Sequence, residues 1–289
     1  MKKLKAIGFA GLYLVIPIAI QFVLTFYLIF NGLMMRLPMN QMTDYFGGLE
    51  KNYRDNLIMV SLVNLIYIVG YGLWYYFICK RKTTSSVNYS RIFSGKSLVC
   101  MMCMAICAQL ACNLLIVGVS VLLPEQLENY KKLMEGLDIS VMPAWAMVLM
   151  VAIWAPLAEE LIFRAMIYRT LRKGFGVAVA SILSGVLFGV YHLNVVQGIY
   201  ASAFGILLAY IYEKTGSLWG CYLYHMLFNL SSYVLEAIQK RIPVSETVLG
   251  AGMMILSMVA VPGLILLLFQ FRKMYQAERV EMEEDDENI

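Results

Sequence analysis

Ala146-Met147-Val148-Leu149-Met150-Val151-Ala152-Ile153-Trp154 reads as part of a membrane-crossing helix, and Ala165-Met166-Ile167-Tyr168 continues it. Between them stands Glu159-Glu160-Leu161-Ile162-Phe163-Arg164. Each charge near the centre of such a helix costs roughly 2.5–3.5 kcal/mol on insertion scales. Two carboxylates and a guanidinium within six positions therefore need partners, a wet cavity or a chemical role.

The surroundings support the membrane reading. The chain is 61% hydrophobic and 15% charged, with a mean hydropathy of +0.70. Soluble domains carry about 45–50% apolar and about 25% charged residues. The sequence predicts an all-α, polytopic integral membrane protein of about eight transmembrane helices, with an active site between helices within the bilayer. The predicted spans are Gly8 to Phe30, Leu57 to Cys79, Ser97 to Leu123, Ala146 to Leu171, Val177 to Leu193, Gly198 to Tyr212, Leu218 to Leu235 and Val248 to Phe271. Their lengths bracket the ~20 residues that cross hydrocarbon. The first run is too long for a signal-peptide core and is read as a retained span. Pro124 to Pro143, rich in Glu, Lys and Tyr, is read as a loop.

Residues 1–277 form one membrane domain, with a motif-bearing core at about 146–235. Residues 278–289, strongly acidic, are read as a solvated disordered tail. The Lys/Arg bias sets the orientation. Seven basic residues (Arg36, Lys51, Arg54, Lys131, Lys132, Lys240, Arg241) fall on the side opposite the N-terminus, against fifteen on the N-terminal side. Both termini are therefore expected in the cytoplasm, and the membrane would be the plasma membrane in a bacterium. The net charge of +4 comes from basic residues at span ends rather than on one face, so no nucleic-acid partner is expected.

The six cysteines lie in or at apolar runs and show no disulfide framework. Cys100-Met101-Met102-Cys103, although a C-x-x-C match, reads as small, lipid-compatible helix surface. Gly185-x-x-x-Gly189 and Ala201-x-x-x-Gly205 suit close helix packing. Trp74, Trp145 and Trp219 fall near span ends, where an interfacial aromatic belt forms.

Both histidines of the chain, His192 and His225, lie in spans. Asn229 follows His225 by four residues and shares its helix face. Phe188 precedes His192 by four and can wall a site. Glu160 and Arg164 are also four apart, with the acid N-terminal, the better order for an ion pair. Glu159 is turned about 100° away, so the two carboxylates meet different neighbours. One arrangement has Arg164 neutralise Glu160 while Glu159 faces the histidines; the reverse is possible, and the sequence alone does not decide between them. Pro156 removes a helix hydrogen bond just before the pair.

This set admits two chemistries. A carboxylate and an imidazole activate water as general base, or Glu159, His192 and His225 hold a divalent metal, zinc for such donors, that polarises it. Asn229 offers an amide N–H to a developing oxyanion. Either route points to hydrolysis of a carbonyl compound, most simply a peptide bond. One requirement follows from the helical rise of about 1.5 Å. In straight, upright helices His225 would lie ~10 Å from the inner end of its span, Glu159 ~18 Å and His192 beyond 20 Å, so tilt or a bend at Pro156 must bring them level.

Glu-Glu-x-x-x-Arg at 159–164, Phe-x-x-x-His at 188–192 and His-x-x-x-Asn at 225–229 resemble the three ordered motifs of the CAAX-protease and bacteriocin-processing (Abi) family of intramembrane proteases, related to type II CAAX prenyl endopeptidases. The resemblance implies a site made of Glu159, Glu160, Arg164, His192, His225 and Asn229, opening toward the cytosol. It implies a substrate protein or peptide at the membrane, prenylated or carrying a leader. Family members are usually called metalloproteases. In the metal-free version Glu159 and His192 activate water, while His225 and Asn229 form the oxyanion site. The rival readings are a non-catalytic membrane scaffold or bacteriocin-immunity factor, and a proton-coupled transporter. A transporter would be expected to show paired broken helices in two related halves, and the sequence shows none.

Overall fold

A computed structural model describes residues 2–34, 53–79, 87–136 and 143–286; the connection between the first two predicted spans and the basic segment 80–86 lie largely outside them. The described residues are helical throughout, with no strand among them. In chain order the helices are α1 (Lys2–Met34), α2 (Tyr53–Trp74, closing in a π-helical turn Tyr75–Cys79), α3 (Tyr89–Ile92), α4 (Gly95–Leu122), α5 (Pro124–Gly136), α6 (residues 144–172), α7 (Val177–Tyr191), α8 (Val195–Thr215), α9 (Leu218–Gln239) and α10 (Glu246–Asp286).

Among the described residues, four segments are long and apolar enough to cross a membrane: Lys2–Val23, Gly95–Leu122, Val195–Thr215 and Glu246–Tyr275. Ser61–Phe77 and Val177–Tyr191 are shorter apolar helices. The other predicted spans, α6 and α9, are helical where expected but carry the charged and polar residues of the motifs. Large apolar side chains such as Phe22, Val99, Val121, Ile255 and Leu266 point outward from α1, α4 and α10. In water they would form an unstable apolar surface; facing lipid, they mark an integral membrane protein.

Helix starts follow local chemistry. The side chains of Ser94, Asn194 and Ser217 accept hydrogen bonds from the backbone N–H groups of Ser97, Gln197 and Gly220. These N-caps occupy donors that have no partner within the helix. Gly216, at φ +61°, ends α8 in the left-handed conformation and lets α9 begin two residues later.

One stretch differs from the sequence reading. Residues 124–136 form a helix, not a loop. Pro124 suits the first turn, Glu128 and Lys132 pair one turn apart at 3.9 Å, and Leu127, Tyr130 and Met134 share a face. The last helix continues to Asp286. Its Glu, Met and Arg are good helix formers.

The helices enclose α6. All eight residues from Leu161 to Tyr168 are buried, Arg164 among them. α1 and α2 pack on one side of α6 and α7 and α9 on others, while α4 ties α9 to α10. The α7–α8 pair is the closest, because glycines let the backbones touch. A Cβ on Gly185 would stand 2.7 Å from the Ser202 carbonyl oxygen, and one on Gly189 2.2 Å from that of Gly198. A Cβ on Gly205 would meet the Gly185 Cα at 2.9 Å. Overpacking of a filled interior costs typically about 1–3 kcal/mol. Gly189→Ala should therefore lower the melting temperature of detergent-purified protein, whereas Gly118→Ala, where a Cβ meets nothing within 4 Å, should leave it unchanged.

Candidate active site

α6 is not a regular helix. α-Helical turns (Ala144–Met147, Ala155–Glu160, Arg169–Arg172) alternate with π-helical ones, Val148–Trp154 and Leu161–Tyr168. Pro156 stands at the junction after the first π segment. The irregularity expected at this proline is thus a change of hydrogen-bond register on both sides of the Glu pair, of a kind frequent at functional sites.

The two carboxylates have different surroundings. Glu160 is fully buried; its Oε2 lies 3.2 Å from Arg164 Nε, and its Oε1 lies 2.8 Å from His225 Nδ1. The Arg164 contact is an ion pair by distance, without a well-directed hydrogen bond. Arg164 Nη2 also donates to the Gly205 carbonyl at 3.1 Å, and the guanidinium lies 4.9 Å from the centre of the Phe188 ring. A buried guanidinium is tolerated when charge, carbonyl and aromatic face compensate its desolvation. Glu159 keeps 15% of its side chain exposed, with Oε2 at 3.6 Å from His225 Nε2, too long for a hydrogen bond.

His225 is therefore held at Nδ1 by Glu160 and presents Nε2 toward Glu159. His192, the C-cap of α7, turns its ring back so that Nδ1 lies 2.8 Å from the Phe188 carbonyl oxygen. A carbonyl oxygen only accepts, so Nδ1 carries the proton and Nε2 of the neutral ring keeps its lone pair. Asn229 donates one Nδ2–H to the Val151 carbonyl at 2.7 Å. That bond anchors α9 to the first π segment and leaves the second N–H free of this contact.

Phe188 does more than wall the site. Its ring makes edge contacts with His192 at 4.9 Å, His225 at 5.8 Å and Phe163 at 4.9 Å, while carrying Arg164 on its face. This ring contacts both His192 and His225, which come from different helices.

Glu159, Phe188, His192, His225 and Asn229 line one cavity of about 990 Å³; Glu160 and Arg164 lie behind it. Sequence reasoning missed several lining groups: Gln109, whose Oε1 is buried without a partner, and Gln197, Tyr200 and Tyr233. Gln109 stands in an apolar run with no motif, so its polarity at depth was the only available signal. Glu213 was also missed; it accepts from Tyr168 at 2.6 Å and Arg172 at 2.5 Å, tying the end of α8 to α6.

The metal set named from sequence is not assembled. Among the described residues no three His, Cys, Asp or Glu side chains converge as ligands. Glu159, His192 and His225 line the same cavity, with Glu159 Oε2 3.6 Å from His225 Nε2.

Residues 141–231, which supply most of this site, match the family described as type II CAAX prenyl endopeptidase Rce1-like. The motif-bearing segment is thus similar to the CAAX-protease family. A Bacillus subtilis (strain 168) protein named "Putative membrane peptidase YdiL" is 27% identical over 90 residues, which are 31% of this chain and 37% of that protein. The chain thus matches little more than a third of that relative's length. No solved structure matches the chain. The Rce1-like segment runs from the start of α6 into α9, so it contains all three motifs but neither α4 nor α5, which complete the cavity.

Removing one partner of a buried ion pair costs about 3–5 kcal/mol. Arg164→Ala or Glu160→Ala should therefore strongly lower the melting temperature. Glu159→Gln, which leaves the Glu160–Arg164 pair intact, should shift it far less.

Proposed function

We propose that the protein is an intramembrane endopeptidase that hydrolyses a peptide bond in a membrane-associated protein or peptide. One observation carries the reading. Glu160 is committed to Arg164 and His225, whereas Glu159 is the carboxylate left facing the cavity that both histidines line. The family of the 141–231 segment and the printed name of the B. subtilis relative support peptidase chemistry.

In this reading Glu159, with the lone pair of His192 Nε2, takes a proton from a water in the cavity. The resulting hydroxide attacks the scissile carbonyl carbon. Negative charge builds on the carbonyl oxygen and is met by the second Nδ2–H of Asn229 and by His225 protonated at Nε2. Glu160 stabilises that imidazolium through Nδ1–H, and Arg164 pairs with the other oxygen of Glu160. The proton held by Glu159 and His192 passes to the departing amine, which regenerates the carboxylate. The substrate is read as a CAAX-type or leader-type peptide.

General acid–base groups contribute typically 10²–10⁴-fold. Purified Glu159→Gln and His192→Ala should lose cleavage of a peptide substrate by at least the lower figure, with membrane insertion intact. Undiminished turnover by Glu159→Gln ends the assignment. Cleavage should also withstand a chelator; loss with chelator and recovery on adding zinc would instead make Glu159, His192 and His225 ligands.

A further inference from the structure

The first turns of α1 carry charged and aromatic residues on a single stripe. Lys2, Lys5, Phe9 and Tyr13 follow one another at steps of three and four, so they share a helix face. At about 1.5 Å per residue, that face changes from ammonium groups to rings within about 16 Å. The stripe borders a cavity of about 490 Å³ between α1 and the end of α6. Thr170 of α6 and Lys173, just beyond it, supply the opposite wall. This cavity shares no lining residue with the one that holds Glu159 and both histidines.

Close packing fixes the walls. Gly174 lies against α1 so tightly that an added Cβ would stand 3.0 Å from the Ala6 Cβ and 3.1 Å from the Lys3 Cα. Neighbouring cations are engaged by the protein. Lys3 holds its ammonium 5.9 Å from the centre of the Phe175 ring, Arg172 binds Glu213 and the Phe175 carbonyl, and Arg169 lies over the Tyr75 ring. Lys2, Lys5 and Lys173 differ. They are exposed, and among the described residues no carboxylate pairs with them. Three like charges around one cavity repel one another and set up a positive potential that a bound anion relieves.

We propose that this cavity binds an anionic phospholipid, with the phosphate among Lys2, Lys5 and Lys173 and an acyl chain along Phe9 and Tyr13. The order of groups on the stripe is the order of groups in the lipid, charge first and hydrocarbon after it. Lysine serves a phosphate as a point charge, and the Thr170 hydroxyl offers a donor to a phosphate or ester oxygen. Basic pockets between membrane helices on the cytoplasmic side suit anionic headgroups, and the Lys/Arg bias of the sequence assigns the start of α1 to that side. A soluble anion would use the ammonium groups alone; the rings are what select a lipid. The bound lipid bridges α1 to the end of α6, the helix that carries Glu159 and Glu160, and so stabilises the fold. The site is independent of the peptidase reading.

The test titrates the full-length protein in mild detergent with dioleoylphosphatidylglycerol, dioleoylphosphatidylcholine or inorganic phosphate. Binding is read by native mass spectrometry and stability by melting temperature. Phosphatidylglycerol should bind roughly tenfold or more tighter than phosphatidylcholine and raise the melting temperature. Each lysine neutralised should cost about fivefold in affinity. The combined Lys2→Gln, Lys5→Gln and Lys173→Gln variant should therefore lose about a hundredfold, together with the rise in melting temperature. The matching Lys→Arg variant should keep both. Lys131→Gln with Lys132→Gln, exposed charges on α5, should change neither. All three tested lysines are exposed, and the single Lys→Gln variants carry the same test if the triple does not express. Equal binding of the two lipids, undiminished binding by the Lys→Gln variants, or an equal loss from the α5 pair overturns the proposal. Displacement of phosphatidylglycerol by inorganic phosphate at equal concentration also overturns it, since the rings would then contribute nothing.

Discussion

The ion pair of Arg164 with Glu160, sealed in the middle of the bundle, is the constraint on which the site depends. Neither charge has access to water, so each must be compensated by protein. Arg164 draws on Glu160, the Gly205 carbonyl and the Phe188 face. Glu160 spends its other oxygen on His225. One guanidinium thereby links α6, α7, α8 and α9. It also determines which of two adjacent carboxylates is left facing the cavity.

That linkage requires the helices to approach closely, and the small residues of α7 and α8 permit it. Gly185, Gly189 and Gly205 bring two backbones into contact. The Gly205 carbonyl then comes within reach of Arg164, and Phe188 is wedged between the guanidinium and both histidines. Larger residues would separate α7 from α8 and pull His192 from the cavity. Packing and site geometry are here the same set of contacts. The π-helical segments of α6 belong to that set, since Asn229 binds a carbonyl of the first and Arg164 belongs to the second.

Much of this was legible in the sequence. Apolar runs of the right length, interrupted by few charges, identify a helical membrane protein because lipid offers backbone groups no partners. Spacing of four placed Glu160 by Arg164 and His225 by Asn229 on shared faces. It did not decide which carboxylate would face the histidines, because a helical wheel does not show what stands across from each face. It also missed the α5 helix, whose fold against the cavity needs Tyr130 and Met134 to find a partner surface, and Gln109, which no motif marks.

Composition and local spacing alone determined an all-helical membrane protein with a cluster of ionisable residues that had to be functional or compensated. Those conclusions rest on the cost of placing polar groups in hydrocarbon, which is the same wherever the helix ends up. Only the tertiary structure decided that Glu160 is the held carboxylate and Glu159 the available one. It also showed that Gln109, Tyr200 and Tyr233 line the same cavity as Glu159 and both histidines. Those outcomes depend on contacts between residues tens of positions apart, where sequence neighbours exert no force.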